Sequence, residues 1–380
     1  MSTYDYIIIG AGAAGLLLAD GLGKDPFFRN RSILLLDRDL KQKNDRTWCF
    51  WEAGKGDFDI ILHKSWEHLY FADKNFSKTT PIAPYTYKML RAMDFYRFYK
   101  DRITKYPNIK FLTETVNDIQ DEGTVVTVRT ERETYIGSKV FNSIFDYGPL
   151  LAQKKFPVLQ QHFLGWFVKT SKPVFHMDRA NFMDFSVPQR GNTRFMYVLP
   201  LSSTEALVEY TLFSKEVLPI TEYEKEIAAY LEDRLSGAEY EILEREKGNI
   251  PMSCYNFNVY NSKNLMNIGV AGGWAKPSSG YTFMRTHRKT EKLIQFLKRD
   301  PPLDRFFQKN RFWYYDLLLL DILDRDNSKG QTIFGSIFRH CPPQTVFKFL
   351  DEDTNLWEDL KIIASCPKKE FITALFRRIF

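Results

Sequence analysis

The chain begins with a mostly apolar run that leads into a cluster of glycines. Residues 4–9 have the composition of a buried strand, and an apolar stretch of helical length follows the glycines. Gly10, Gly12 and Gly15 lie between the two at the spacing Gly-x-Gly-x-x-Gly. A second apolar run then ends at Asp37. The order strand, glycine turn, helix, strand and acidic strand end predicts a dinucleotide-binding unit.

Each glycine has a predicted part in this site. Gly10 permits the tight turn, Gly12 leaves room for the pyrophosphate, and Gly15 lets the helix pack closely on the strand. The helix N-terminus offers free N–H groups to the phosphates. Asp37 is placed to accept hydrogen bonds from ribose hydroxyls, whereas Arg38 either contacts the adenosine or its phosphates or forms a surface ion pair. The residues assigned to this half of the site are Gly10, Gly12, Ala13, Ala14, Gly15, Asp37 and Arg38.

Beyond the first unit the hydrophobic pattern becomes alternating, and a strand followed by glycines then occurs a second time. Strands predicted near residues 111–113, 125–128 and 140–142 extend the first unit. From about residue 160 to 215 apolar and polar positions alternate, which is typical of an antiparallel sheet that carries a substrate face. Residues 267–273 again indicate a strand entering a glycine loop.

A nucleotide domain interrupted by an inserted sheet is the layout of the flavoprotein hydroxylase-like fold. We therefore predict an α/β fold with a Rossmann-type FAD-binding domain, an inserted antiparallel β-sheet substrate domain and a helical C-terminal part. The predicted boundaries are 1–80, 105–150 and 262–300 for the FAD-binding domain, 81–104 and 151–261 for the substrate domain, and 301–380 for the helical part.

The composition is compatible with an apolar ligand cavity and gives no sign of a metal site. Hydrophobic residues make up 44% of the chain and aromatic residues 16%, so the protein has enough rings to line a long apolar cavity, although core packing could use many of them. The four cysteines and six histidines show no metal-ligand spacing, which indicates reduced thiols and no metal site.

The positive charge is concentrated in one stretch. Between Arg285 and Arg311 nine lysines and arginines stand against three acidic residues, an excess equal to the net charge of +6 of the whole chain. With its aromatic neighbours this stretch predicts either a surface for anionic lipid or a solvated helix face. No nucleic-acid-binding motif accompanies it, so a nucleic-acid partner is not expected.

Six short segments resemble, in the same order, segments of the bacterial lycopene β-cyclases. They are residues 44–50 (Asn-Asp-Arg-Thr-Trp-Cys-Phe), 183–189 (Met-Asp-Phe-Ser-Val-Pro-Gln), 195–202, 207–211, 248–252 (Gly-Asn-Ile-Pro-Met) and 277–281 (Pro-Ser-Ser-Gly-Tyr). Two positions depart from the expected patterns. Tyr210 stands where the family has a second acidic residue after its glutamate, and Val270 stands where flavin hydroxylases have an aspartate.

The resemblance implies conversion of lycopene, via γ-carotene, to β-carotene by acid–base cyclisation through a carbocation. Glu209 is then the general acid or a carboxylate that steers the cation, because a carboxyl in an apolar cavity stays protonated. The alternative for Glu209 is a strand glutamate that faces solvent. The cofactor implied is reduced FAD in a non-redox role, with NADPH or NADH as the reductant. Its further contacts are assigned to Arg46, Gly272, Gly273, Pro277, Gly280 and Tyr281.

Two other functions remain open at this point. A FAD-dependent monooxygenase or reductase acting on an isoprenoid would share the fold and the apolar cavity. A catalytically silent carotenoid- or flavin-binding membrane protein is the alternative from a different class.

A carotenoid substrate also implies contact with a membrane surface. No run of about 20 apolar residues exists to span a bilayer, and the first residues already form a strand, so neither a transmembrane helix nor a signal peptide is predicted. We expect a cytoplasmic protein peripheral to the inner face of the cell membrane. The candidate contacts are residues 285–315 and the C-terminal residues 368–380, which have apolar side chains at helical spacing. A terminal helix docked on the core is the alternative for the latter.

Overall fold

The fold is described by a computed structural model that covers residues 1–306 and 309–379, with the backbone alone at residue 379. Phe307, in the predicted basic and aromatic stretch, and Phe380, in the predicted terminal helix, lie outside the described residues.

The described residues form seventeen strands and ten α-helices. The strands are β1 (Ser2–Ile9), β2 (Ile33–Asp37), β3 (Thr47–Ala53), β4 (Lys64–Trp66), β5 (His68–Asp73), β6 (Phe76–Pro81), β7 (Tyr85–Arg91), β8 (Ile109–Thr113), β9 (Val116–Asp121), β10 (Val126–Thr130), β11 (Thr134–Asn142), β12 (Leu159–Thr170), β13 (Arg179–Asp184), β14 (Thr193–Pro200), β15 (Glu205–Ser214), β16 (Tyr240–Met252) and β17 (Leu265–Asn267). The helices are α1 (Ala13–Lys24), α2 (Ala92–Ile103), α3 (Gly148–Ala152), α4 (Ile220–Arg234), α5 (Phe283–Leu297), α6 (Arg311–Arg325), α7 (Lys329–His340), α8 (Pro343–Leu350), α9 (Leu356–Ser365) and α10 (Lys368–Ile379).

The first sheet is the predicted nucleotide-binding sheet. Its strands run in the order β8-β2-β1-β11-β10-β9, with β17 also paired to β11. The pairs among β8, β2, β1, β11 and β17 are parallel. Ile8 packs with α1, α2 and α5, whereas Ile7 and Ile9 pack with β10 on the other face. Because both faces are covered, β1 and β2 are continuous apolar runs rather than alternating ones.

The second sheet follows the alternating part of the sequence. Its order is β16-β12-β15-β14-β13-β5-β6, and all its pairs except β13 with β5 are antiparallel. Val208 and Tyr210 of β15 pack against α4, while Leu207 and Phe213 point to the opposite face. The predicted fold class, a Rossmann-type α/β domain with an inserted β-sheet, is confirmed.

The chain crosses between the sheets earlier and more often than the predicted boundaries allow. Residues 68–80 are predicted to belong to the FAD-binding domain, but β5 and β6 extend the second sheet. Residues 92–103 were placed in the substrate domain, but Phe95 and Tyr99 of α2 pack in the cluster that contains α1. A third sheet has the strand order β3-β7-β4, and its strand β7 lies between β6 and α2 in the sequence. Short half-buried strands carry little periodicity, which is why the sequence misplaced them.

From residue 309 onward the chain is helical, as predicted. Residues of α6, α7, α8 and α9 pack against the face of the second sheet that α4 leaves open, in the cluster that also contains Phe195 and Leu207. Among the described residues, no helix has both the length and the apolar character that crossing a membrane requires.

Candidate functional site

The glycine turn after β1 has the geometry that the sequence predicts. Gly10 has a φ of +95°, and a Cβ on Gly15 would lie 1.8 Å from the carbonyl oxygen of Gly10. A Cβ on Gly12 would meet nothing within 4 Å, so open space lies beside the first turn of α1. The backbone N–H of Ala11 donates to Oδ2 of Asp37 at 2.5 Å. Asp37 is therefore held against the glycine turn.

The second glycine segment packs on the first. Gly269 has a φ of +60°, and a Cβ there would lie 2.9 Å from the Cβ of Ala14 at the start of α1. Gly272 could not carry a Cβ either, because it would lie 2.2 Å from the carbonyl oxygen of Asn267. Two segments some 250 residues apart in sequence thus meet at the end of the parallel sheet, which is where such sheets bind ligands.

A cavity of about 320 Å³ adjoins this region. One wall is formed by Arg46, Val270 and residues 278–282, and another by side chains of α7, α8 and α9. The remaining lining is largely aromatic and aliphatic, and it includes Phe163, Phe182, Met183, Phe195, Leu207, Phe213, Phe334, Ile337, Phe338, Val346, Phe349, Leu350 and Ile362. Such a lining excludes water and favours an apolar ligand.

Glu209 of β15 points into this cavity. Its exposed fraction is 8%, which rules out the alternative of a strand glutamate facing solvent. The hydroxyl of Thr211 donates to its Oε1 at 2.6 Å. Burial, reinforced by the charge of nearby Glu246, raises the pKa of Glu209 to about 8. The side chain is consequently a protonated carboxylic acid at neutral pH.

A second carboxyl group, half-buried and missed by the sequence analysis, lines the same cavity. Glu246 of β16 accepts a hydrogen bond of 2.6 Å from the hydroxyl of Thr47. Burial raises the pKa of Glu246 also. Glu246 lies in a run of alternating charged residues that ends at the recognised Gly-x-Ile-Pro turn, and proximity to that turn was the available signal.

Three tyrosines cluster beside the cavity. The hydroxyls of Tyr87 and Tyr197 are hydrogen-bonded to each other, and the hydroxyl of Tyr281 lies 3.5 Å from that of Tyr87. Tyr197 is also the cross-strand neighbour of Glu209. Burial raises the pKa of Tyr281, so these groups are neutral hydrogen-bond donors.

Comparison with known proteins fits this arrangement. The sequence profile of a family described as lycopene cyclase protein matches residues 5–376. The chain belongs to the lycopene cyclase family. No curated protein matches the sequence significantly.

Solved structures share the fold of the whole chain. A geranylgeranyl bacteriochlorophyll reductase-like protein from Thermoplasma acidophilum has a TM-score of 0.61 and 13% identity, over 97% of this chain and 98% of its own. A variant of the halogenase PltM in complex with FAD has a TM-score of 0.60 and 13% identity, over 98% and 85%. A probable FAD-dependent monooxygenase from Pseudomonas aeruginosa has a TM-score of 0.57 and 13% identity, over 92% and 100%. At identities of 13% the likeness shows the fold alone, and the fold that this lycopene cyclase family member shares is one found in FAD-dependent proteins.

The predicted site residues fall into groups at different places. Glu209, Arg46, Gly280 and Tyr281 line the cavity. Gly10, Gly12, Ala13, Ala14, Gly15 and Asp37 lie at the turn after β1, and Gly272, Gly273 and Pro277 lie between β17 and α5. Arg38 is exposed. Residues that the sequence analysis did not single out as functional are Thr47, Gln161, Thr211 and Glu246, all of which line the cavity.

The two positions that depart from the family and flavin-hydroxylase patterns, Tyr210 and Val270, have clear places in the structure. Tyr210, where the family has an acidic residue, points away from the cavity, and its hydroxyl accepts a hydrogen bond of 3.2 Å from Nη1 of Arg194 beneath α4. Val270 lines the cavity in place of an aspartate. The second carboxyl of this site therefore comes from β16 and not from the position after Glu209.

Much of the predicted basic stretch is neutralised within the molecule. Cations of this stretch form ion pairs with acidic groups of other elements: Arg285 with Glu352, Arg288 with Asp351, Lys298 with Asp25 and Arg311 with Asp359. The expectation of a basic surface over residues 285–315 is to that extent wrong, because the acidic partners are distant in sequence. His287 and Glu291 of α5 and Asp57, between β3 and β4, have ligand atoms within 4.8 Å of one another. Asp57 and Glu291 are exposed acidic groups.

Proposed function

We propose that the protein is a lycopene β-cyclase that converts the acyclic ends of lycopene, via γ-carotene, to the β-ionone rings of β-carotene. The observation that carries this proposal is the position of Glu209, a buried carboxyl group that lines the apolar cavity and whose pKa burial raises to about 8. Membership of the lycopene cyclase family supports a carotenoid substrate.

The reaction uses the proton of Glu209. The carboxyl protonates the terminal double bond, which leaves a tertiary carbocation; a neighbouring double bond attacks it and closes a six-membered ring. A carboxylate then removes a proton, so the product is an isomer of the substrate. Aromatic faces along the cavity stabilise the positive charge, and the apolar lining excludes water that would capture the cation.

The chain's residues fit FAD. The open space beside Gly12 and the N-terminus of α1 suit a pyrophosphate, and Asp37 suits the adenosine ribose. Arg46, Gly272, Gly273, Pro277, Gly280 and Tyr281 are proposed to contact the flavin. When bound in its reduced form, with NADPH or NADH as the reductant, FAD supplies negative charge near the cation without net redox turnover.

The replacement Glu209→Gln tests the proposal. It keeps the shape and removes the acid, so we expect a loss of ring formation of at least ~100-fold, as for removal of a general acid. Glu205→Gln, on the same strand but half-exposed and paired with Lys169, is the matched control and should cyclise normally. Pigment chromatography after expression in a lycopene-producing bacterial host measures the outcome. A folded, flavin-loaded Glu209→Gln protein that cyclises at a near-normal rate contradicts the assignment.

A flavin-dependent monooxygenase or reductase of isoprenoids is the second candidate, favoured by the fold shared with a reductase-like protein and a probable monooxygenase. The mass of the product separates the two functions. A cyclase leaves it unchanged, whereas the alternatives add oxygen or hydrogen and consume the nicotinamide stoichiometrically.

We also propose that the protein works at the cytoplasmic face of the cell membrane, because its substrate dissolves in the bilayer. Two consecutive helices leave apolar side chains in solvent: Leu356, Trp357, Leu360 and Ile363 of α9, and Ile372, Leu375 and Phe376 of α10. Exposed cations lie on the same helices, among them Lys361, Lys368 and Arg377. This combination suits an anionic lipid surface better than residues 285–315 do.

A further inference from the structure

Glu209, which is buried, and Glu246, which is half-buried, lie on the two strands that flank β12. In the second sheet β12 lies between β15 and β16. Gly165 of β12 is in register with Glu209 on one side and with Glu246 on the other. Residues in register on neighbouring strands project to the same face of a sheet. Both carboxyl groups therefore enter the cavity from the same face of the sheet, and strand β12 lies between the strands that carry them.

The residue between them has no side chain. A Cβ on Gly165 would lie 3.5 Å from the Cβ of Glu209 and 3.3 Å from the Cγ of Glu246. It would also lie 2.8 Å from Cδ1 of Leu207, closer than such contacts allow. A side chain at this position would hence fill the space between the two glutamates, and glycine leaves them facing each other.

We propose that Glu209 and Glu246 form a carboxyl pair that holds one proton and one negative charge, with Glu246 as a positioning residue that keeps the proton on Glu209. This inference rests on the proposed cyclase function. The pair starts the reaction with Glu209 protonated and Glu246 ionised. Glu209 gives its proton to the terminal double bond and regains one from the ring cation, so protons balance and no oxidant or reductant is consumed.

The surroundings of the two groups are unequal. The charged or ionisable groups that face Glu209 are Glu246, Cys49, Tyr197 and Tyr281, none of them a cation. Glu246 instead lies near Arg91 and Arg46, which lower its pKa against burial, with Glu244 as an opposing charge. The shared proton accordingly belongs on Glu209 and the negative charge on Glu246. Two negative carboxylates then face the cavity while the substrate is positive, and their charge stabilises the cation.

The replacement Glu246→Gln tests the pair. It removes the negative charge, so Glu209 should release its proton at lower pH, by about one unit or more, as coupled groups do. Infrared difference spectra of flavin-loaded, ¹³C-glutamate-labelled protein without substrate measure this titration directly. The pH at which cyclisation declines on the alkaline side should move down by the same amount. Glu241→Gln, exposed on the same strand, is the matched control and should change neither.

The outcomes separate the pair from the proposed function. If Glu209 titrates alike in Glu246→Gln and in wild-type protein that makes rings, the pair is refuted and the cyclase stands. If the titration moves but wild-type protein makes no ring, the cyclase is refuted and the pair stands. Glu246→Asp keeps the negative charge but moves it away from Glu209. In this variant Glu209 should titrate at a pH between those of the wild type and Glu246→Gln. It provides the same test should Glu246→Gln not fold.

Discussion

At the scale of single residues, Glu209 links activity to stability. Its pKa is raised from the ordinary 4.5 to about 8, so the folded chain holds a proton that the unfolded chain releases between these values. Folding stability therefore falls as the pH rises through this range, and the stability present below pH 4.5 is lost above pH 8. A site that needs this acid protonated is thus least stable where the acid ionises.

We expect Glu209→Gln to be more stable than wild-type protein at pH 8, by on the order of 3–5 kcal/mol, because the amide never ionises. The difference should nearly vanish at pH 5. Thermal unfolding followed by circular dichroism at the two pH values measures it. Glu205→Gln should follow the wild type at both, since its carboxyl is half-exposed. Equal stability of Glu209→Gln and wild type at pH 8 would show that the acid is not buried as described.

The same strand shows how far residue-level inference from sequence reaches. Alternation along β15 placed Glu209 on one face, and the structure puts Tyr210 on the other. Glu246 escaped notice because the charged run in β16 has the pattern of an exposed edge strand. Its side chain is half-buried and accepts a hydrogen bond from Thr47 of β3, nearly 200 residues earlier in the chain. Burial set by such distant partners leaves no local pattern to read.

At the scale of elements, an ion-pair network anchors the loop between β17 and α5. Lys276 is 1% exposed, and its Nζ lies 2.9 Å from Asp316 of α6 and 3.1 Å from Glu352, just after α8. The loop that follows Lys276 forms part of the cavity wall. The network therefore connects the C-terminal helices to the proposed flavin contacts.

Lys276→Met should destabilise the protein by ~3–5 kcal/mol, because it removes the cation that lies 2.9 Å from the buried carboxylate of Asp316. The double variant Lys276→Met/Asp316→Leu should recover much of the loss, since it removes the stranded charge as well. Denaturant unfolding of both variants tests this, with Lys292→Met on the exposed side of α5 as the control. If the double variant were no more stable than the single one, the network would not act through charge compensation.

Element boundaries were less predictable than element types. The glycine turn, the parallel strands and the alternating sheet follow from periodicity and could be predicted in place. Strands β5 and β6 and helix α2 do not pack with the rest of the domain predicted for them, because tertiary packing decides which partner a short element joins. The parallel pair β5 and β13, over 100 residues apart in sequence, is such a choice.

At the scale of the whole molecule, one helix borders both the cavity and the solvent. Ile362 of α9 lines the cavity, whereas Trp357 and Leu360 of the same helix are exposed. An apolar surface on a helix that also lines an apolar cavity suits the proposed membrane-dissolved substrate. The proposed membrane contact and the proposed acid site are thus parts of one arrangement.

The double variant Trp357→Glu/Leu360→Glu should lose binding to anionic phospholipid vesicles by at least ~10-fold, because it places charge where apolar area would be buried. Binding of the wild type should weaken as salt is raised, since cations on α9 and α10 contribute. Ile60→Glu is the control: Ile60 is 78% exposed, like Trp357 at 77%, but lies on a different element. Cosedimentation with vesicles measures binding, and light scattering measures the oligomeric state. Unchanged vesicle binding contradicts the assignment, and a change in oligomeric state instead would make this face an interface between copies of the chain.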